Sequence, residues 1–256
     1  GDGFYYSAYD APEKGLETSA KNEVQKVYYH RIGTPQSDDV LFYQNPAQPL
    51  RFYGVGLNDE ETLMFLTESG MDQGYNLYVR DLRVADSQFI QMTADASKTY
   101  SPVEMIGDSI YILTNQGAPR YRLMVADVRK PGMTDWHEVV GEQDGVLQDV
   151  LFLPADRMIL TYSKDNCTEA WLYSVKGERL SRIELPTFGS ASFSGSRKQD
   201  ECFFSFTSYT VPTTIYRFDP ATGKSQVESQ PKVNVRLNDY TTEMVFCTSK
   251  DGTKVP

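Results

Sequence analysis

The chain has 256 residues, a formal net charge of −10, 40% apolar residues and three cysteines, enough for one all-β domain or two smaller domains with a real core. The acidic balance speaks against a nucleic-acid partner, which needs a basic stripe to neutralise phosphates. No run approaches the roughly 18 apolar residues of a membrane span, so no membrane partner is expected.

In chain order, residues 3–9 read as a strand. A polar stretch then leads to Val27-Tyr28-Tyr29-His30-Arg31-Ile32, a turn, and a further strand at 40–43. The 17 tyrosines and 13 phenylalanines favour strands, because aromatic side chains fit a pleated, half-buried surface. Apolar positions three and four apart are not sustained over any window of a dozen residues. Strand–turn–strand pairs recur instead. Val55-Gly56-Leu57 and Leu63-Met64-Phe65-Leu66 flank Asn58-Asp59-Glu60-Glu61, and Val103-Glu104-Met105-Ile106 and Ile110-Tyr111-Ile112-Leu113 flank Gly107-Asp108. Val150-Leu151-Phe152-Leu153 and Met158-Ile159-Leu160 flank Pro154-Ala155-Asp156-Arg157, and Ala191-Ser192-Phe193 precedes Cys202-Phe203-Phe204. Each pair is followed by a third apolar run and a weaker, more polar fourth.

The third runs begin at Val27, Leu77, Leu123, Trp171 and Ile215, spaced by 50, 46, 48 and 44 residues. Four strands per 40–50 residues is the period of a β-propeller blade. A β-sandwich also has short strands but demands no such repeat. The expected fold is all-β, a β-propeller of four-stranded antiparallel blades near residues 1–50, 51–98, 99–142, 143–185 and 186–232. The first unit lacks its opening strand, because residues 3–9 serve as its second. Neither end carries a cap. The expectation is about five blades of a larger protein, self-associating through open blade faces or closing as a smaller ring. Residues 1–235 make up this propeller and 236–256 a connector, in which 241–246 alternate like a strand and Ser249-Lys250-Asp251-Gly252-Thr253 turns. Cys167, Cys202 and Cys247 lack metal-type spacing, and Cys202 and Cys247, in apolar runs, are expected as reduced core residues.

A search for chemistry returns little. No Gly-x-Ser-x-Gly elbow occurs, and the nearest approach, Gly189 to Gly195, has the wrong spacing and falls on a strand. His30 and His137, the only imidazoles, lie on repeat strands, where a structural or surface role is the expectation. Two scattered histidines offer no zinc cluster, and no glycine-rich loop opens a helix as a phosphate cradle. No metal or cofactor is expected. Asp38-Asp39 and Asp59-Glu60-Glu61 occupy turn positions that favour Asp and Asn, so neither is read as a carboxylate pair for glycoside hydrolysis.

Glu17-Thr18-Ser19, Gln25-Lys26-Val27-Tyr28-Tyr29-His30, Gly33-Thr34 and Gln36-Ser37-x-Asp39 resemble the propeller domain of the prolyl oligopeptidase family. The likeness continues through Phe204-Ser205-Phe206-Thr207-Ser208 to Ser249-Lys250-Asp251-Gly252-Thr253-Lys254-Val255-Pro256. The resemblance implies five blades of a seven-bladed propeller stacked on an α/β-hydrolase domain. That domain carries the Ser, Asp and His of a serine endopeptidase cutting short peptides after proline, so no catalytic residue is carried over. The propeller is then a size filter, and the segment alone is expected to be inactive. A stand-alone propeller adaptor holding a peptide or protein is the alternative.

The resemblance also implies a mobile gating loop, matched by Thr18, Ser19, Asn22, Gly33, Thr34, Gln36, Ser37 and Asp39. The residues between them, 26–32, read as a blade strand. Candidates for the wall of the peptide cavity are Asn76 and Arg80, in the stretch from Asp72-Gln73 to Arg80 that matches a segment near that wall, and Tyr5 on the first strand. The chain departs from relatives at Asn76 and Arg80, where they carry Arg and Cys, and Arg80 also reads as a solvated edge residue. A cytoplasmic location is expected, with the periplasm as the alternative, since the native N-terminus is not visible.

Overall fold

A computed structural model describes residues 2–71, 74–93, 96–234 and 239–256. Asp72 and Gln73, and residues 235–238 at the expected domain boundary, lie outside the described residues. Five meanders follow in sequence. The first is three-stranded, β1 (Gly3–Ala8), β2 (Lys26–Arg31) and β3 (Val40–Gln44). The second is β4 (Phe52–Leu57), β5 (Leu63–Ser69), β6 (Tyr75–Asp81) and β7 (Ile90–Gln91). The third is β8 (Tyr100–Ile106), β9 (Ser109–Thr114), β10 (Arg122–Asp127) and β11 (His137–Val140). The fourth is β12 (Val146–Leu153), β13 (Arg157–Lys164), β14 (Cys167–Ser174) and β15 (Arg179–Ile183). The fifth is β16 (Ser190–Ser196), β17 (Gln199–Thr207), β18 (Thr214–Asp219) and β19 (Lys224–Ser229). In each, strands neighbour in sequence order, and β1 is the edge strand of the three-stranded first sheet.

Local chemistry sets these boundaries. The β13–β14 hairpin turns on the two-residue loop Asp165-Asn166 and the β12–β13 hairpin on Pro154-Ala155-Asp156; Ala155, Asp156, Asp165 and Asn166 all take positive φ, the geometry whose twist matches antiparallel strands. In the β4–β5 turn, buried Asn58 does the work: its Oδ1 accepts from the amides of Thr62 and Leu63 at 2.8 Å, and its Nδ2 donates to Thr62 Oγ1 at 2.9 Å. A bulge recurs between third and fourth strands, at Val27/Tyr28, Leu172/Tyr173 and Ile215/Tyr216. Each bends the outer strand and blunts an exposed edge.

Residues 1–116 with 124–137 form one compact unit, and residues 117–123 with 138–256 another. In the first unit, Leu63, Leu77 and Val79 pack with Tyr100, Ile110 and Ile112, while Leu66 turns the other way onto Val27 and Tyr53. In the second, Leu153, Ile159 and Leu172 pack with Phe193, Phe204, Phe206 and Phe218.

An ion-pair relay ties two third-strand ends in the first unit. Arg83 pairs with Asp81 at 2.7 Å and with Asp108 at 2.6 Å, and Arg129 pairs with Asp127 at 2.6 Å and with Asp108 at 3.6 Å. The Arg129 guanidinium and backbone amide hold the Asp127 carboxyl down at about 2.

Two expectations are corrected. Residues 241–246 form no strand and pair with none among the described residues, because the two-residue β21 (Lys254–Val255) reaches only β20 (Cys247–Thr248). Cys247, on that short hairpin, is exposed rather than in the core, whereas Cys202 is 1% exposed; all three cysteines are free.

Phe204 lies flat on Tyr216 at 4.8 Å and contacts Phe193 at 5.0 Å. Phe204→Ala is expected to cost about 3–5 kcal/mol through lost burial and a cavity, read as a lower urea midpoint.

Candidate functional site

The β1–β2 connection, residues 9–25, is closed at its base and loose above it. Lys26 Nζ reaches both oxygens of Asp10 at 2.6 Å, the Val24 amide donates to the Pro49 carbonyl at 2.7 Å, and the Gln25 side chain accepts from the Tyr53 amide at 2.6 Å. Between these ties, residues 11–23 hydrogen-bond only with one another among the described residues. The Leu16 amide donates to Glu13, and those of Ser19 and Ala20 to Leu16. The Gly15 amide donates to the Glu17 carboxylate and holds its pKa below the usual range. Thr18, Ser19 and Asn22 are exposed on this loop.

The other flank of β2 is built differently. Gly33 takes φ +90°, Thr34 Oγ1 donates to the Arg31 carbonyl at 2.8 Å, and Gln36–Asp38 form a 3-10 turn in which Ser37 Oγ donates to Asp38 at 3.1 Å. The segment ends in an anchor. The Asp39 side chain, 3% exposed, accepts from Tyr6 of β1 at 2.6 Å and pairs with Nδ1 of His30 of β2 at 2.7 Å. Gln36 Nε2 donates to the Tyr6 hydroxyl at 3.3 Å. The Tyr6 hydroxyl first, and His30 after it, hold the Asp39 pKa below the usual carboxylate range against the cost of burial. The same bond to Asp39 raises that of Tyr6.

The eight gating candidates therefore do not form one site. A meander places successive connections at opposite ends of the strand between them, and six residues of β2 span about 20 Å. Thr18, Ser19 and Asn22 lie at one end; Gly33, Thr34, Gln36, Ser37 and Asp39 lie at the other, with Asp39 buried.

Two cavity candidates meet and one stands apart. Tyr5 lines a cleft of about 400 Å³ with Phe4, Tyr29, Val55, Leu57 and Glu61. Its ring contacts Phe42 at 4.9 Å, and the Arg80 guanidinium covers the same Phe42 ring at 5.3 Å. Burial first, then Tyr29, raises the Tyr5 pKa, and Arg80 opposes them. Arg80 is half-buried, so the solvated-edge reading fails. Asn76 sits four residues back on β6 and donates to Glu68 at 3.2 Å. Glu68, 5% exposed and facing Tyr43, Tyr53 and Tyr78, is the residue that sequence reasoning missed. Burial and the Glu68 carboxylate push Tyr78 up to about 12. The signal was present: Glu68 continues the inward alternation of Met64 and Leu66 on β5. Among the described residues no three His, Cys, Asp or Glu converge as metal ligands.

Repeated four-stranded meanders joined at alternate ends define a β-propeller-type repeat domain. The chain belongs to the prolyl oligopeptidase family: residues 1–231 match its N-terminal β-propeller domain. The prolyl endopeptidase of Elizabethkingia meningoseptica is 32% identical over 256 residues, all of this chain and 36% of that protein. The dual function macrocyclase-peptidase POPB of Galerina marginata is 28% identical over 265 residues, 99% of this chain and 36% of that protein. In three dimensions, a prolyl endopeptidase studied for inter-domain dynamics matches 99% of this chain and 37% of its own, with a TM-score of 0.86 at 28% identity. Prolyl oligopeptidase B from Galerina marginata, bound to a 35mer substrate, matches 99% and 36%, with a TM-score of 0.88 at 25% identity. The chain thus spans about a third of the length of these relatives, and its sheets are propeller blades.

The contrast between the two flanks of β2 yields two expectations. Brief trypsin treatment of the folded chain should cut after Lys14 and Lys21 well before Arg31, checked by mass spectrometry of the fragments; first cleavage at Arg31 would contradict the assignment. For the anchor, a depressed carboxylate pKa contributes stability above its ordinary value near 4 that is lost as pH falls through the folded value. A raised tyrosine pKa contributes below about 10 and is lost as pH rises through the folded value. Amides of residues 33, 34 and 36–38 should therefore be most protected between these limits, and Asp39→Asn should speed their exchange by about tenfold while β13 and β17 stay unchanged.

Proposed function

We propose that these residues form the substrate-screening propeller of a serine endopeptidase that cuts short peptides after proline. The observation that carries the reading is the family match over residues 1–231. It is supported by the names of the relatives, prolyl endopeptidases and a macrocyclase-peptidase. The partner is an α/β-hydrolase domain supplying Ser, Asp and His, and the propeller admits short proline-containing peptides while excluding folded proteins. Residues 11–23 are the part suited to regulating admission, since only their base is tied to the blades. Tyr5 and Arg80, joined across Phe42, are the wall residues of choice, with Asn76 a separate contact. His30, committed to Asp39, is structural. Three unpaired cysteines fit a reducing compartment such as the cytoplasm.

The 256 residues alone are inactive in this reading. Purified chain should give no turnover of a Gly-Pro chromogenic substrate, and turnover would refute the assignment of catalysis to another domain. The same chain should self-associate through open blade faces, including the edge of β1, which pairs with no other strand than β2 among the described residues. Sedimentation velocity should find dimers or larger species, and a monodisperse monomer would count against open faces.

A further inference from the structure

A polar row crosses the second blade on the face that carries Leu66. Tyr53 of β4, Glu68 of β5 and Asn76 of β6 stand opposite one another in register. Glu68 is the unexpected member. Packing alone would be served by an apolar side chain, and a buried carboxylate persists only where donors surround it. Asn76 Nδ2 donates to Glu68 Oε1 at 3.2 Å, and Tyr43, Tyr53 and Tyr78 face the same carboxylate. Burial first, and Glu68 after it, raises the pKa of all three tyrosines. Their hydroxyls therefore keep their protons and remain donors.

An ionised carboxylate accepts hydrogen bonds and donates none. The end of the Asn76 amide that faces Glu68 must then be its nitrogen, and the oxygen is turned the other way. There it meets Thr93, 2% exposed, whose Oγ1 donates to Asn76 Oδ1 at 3.5 Å and accepts from the Leu77 amide at 2.9 Å. Asn76 is half-buried, and each end of its amide has one such partner. A side-chain amide has two N–H groups and two carbonyl lone pairs, so one of each is left over. One donor beside one acceptor is what a peptide group of an extended chain pairs with.

We propose that Glu68 is a positioning residue, setting the orientation of the Asn76 amide so that it offers one N–H and one carbonyl lone pair to the main chain of the substrate peptide. This rests on the proposed function, in which Asn76 is a peptide contact. Glu68 touches no substrate itself; it acts through Asn76.

The test uses the longer chain that carries these residues, with a proline-containing octapeptide as substrate. Glu68→Gln keeps the size but presents an N–H beside the oxygen, so either orientation of the Asn76 amide finds a partner. KM is expected to rise about tenfold with kcat held within about twofold. Asn76→Ala is expected to raise KM alike, and the Glu68→Gln/Asn76→Ala pair to add nothing further. Additive losses overturn the proposal, because a merely structural Glu68 would act with or without Asn76. A change confined to kcat, or an Asn76→Ala chain with unchanged KM, overturns it as well. A second measurement does not depend on cleavage. The side-chain amide of Asn76 is expected to exchange at least about tenfold faster in Glu68→Gln, while the backbone amides of β9 and β13 stay protected. Cleavage by the parent chain with an unchanged Asn76 amide removes the positioning role alone. Faster Asn76 exchange in a chain whose parent cleaves no proline peptide supports the fixed amide and removes the proposed function.

Discussion

A four-stranded meander with apolar residues on both faces of its central strands cannot stand alone, and this need for neighbours governs the molecule. β5 makes the point within seven residues. Leu63 feeds one core, with Leu77, Ile110 and Ile112, while Leu66 feeds another, with Val27 and Tyr53. The second blade is therefore half of two cores and the whole of neither. The outermost strands carry less of this duty: β15 contributes Ile183 to a core, whereas β19 is exposed along its entire length. Stability is shared between neighbouring blades rather than stored within one.

The repeat was legible in the sequence for that physical reason. Central strands buried on both faces become near-continuous apolar runs, and fourth strands facing water become polar, so the order within each unit survives as composition. What could not be read was partnership. Residues 241–246 alternate as a strand should, but alternation reports which side chains turn inward and not whether another main chain lies alongside. Cys247 went the same way, since an apolar neighbourhood in sequence is not a buried one in space. Glu68 was missed for the opposite reason: register placed it inside, but its charge argued for outside, and three tyrosines and Asn76 resolve the conflict.

The residues that carry the family likeness are largely scaffold. In the segment from Tyr28 to Asp39, His30 and Asp39 meet each other and Tyr6, Gln36 reaches the same Tyr6 hydroxyl, and Gly33 and Thr34 shape the intervening turn. A buried carboxylate needs its partners placed by the backbone, which explains why a strand, a turn and a carboxylate are spelled out together. The loop at residues 11–23 owes its structure to a few local turns, and within it only Glu17-Thr18-Ser19 belongs to the likeness.

The Asp10–Lys26 contact has a consequence for the history of such a loop. With its two ends held side by side on adjacent strands, the loop contributes to stability chiefly through closure entropy, and that grows only logarithmically with length. Doubling the loop would cost about 0.6 kcal/mol. Insertions, deletions and grafted sequences between Asp10 and Lys26 are thus nearly free for the blades, so this loop can be re-tailored while the β-sheets beneath it stay unaltered.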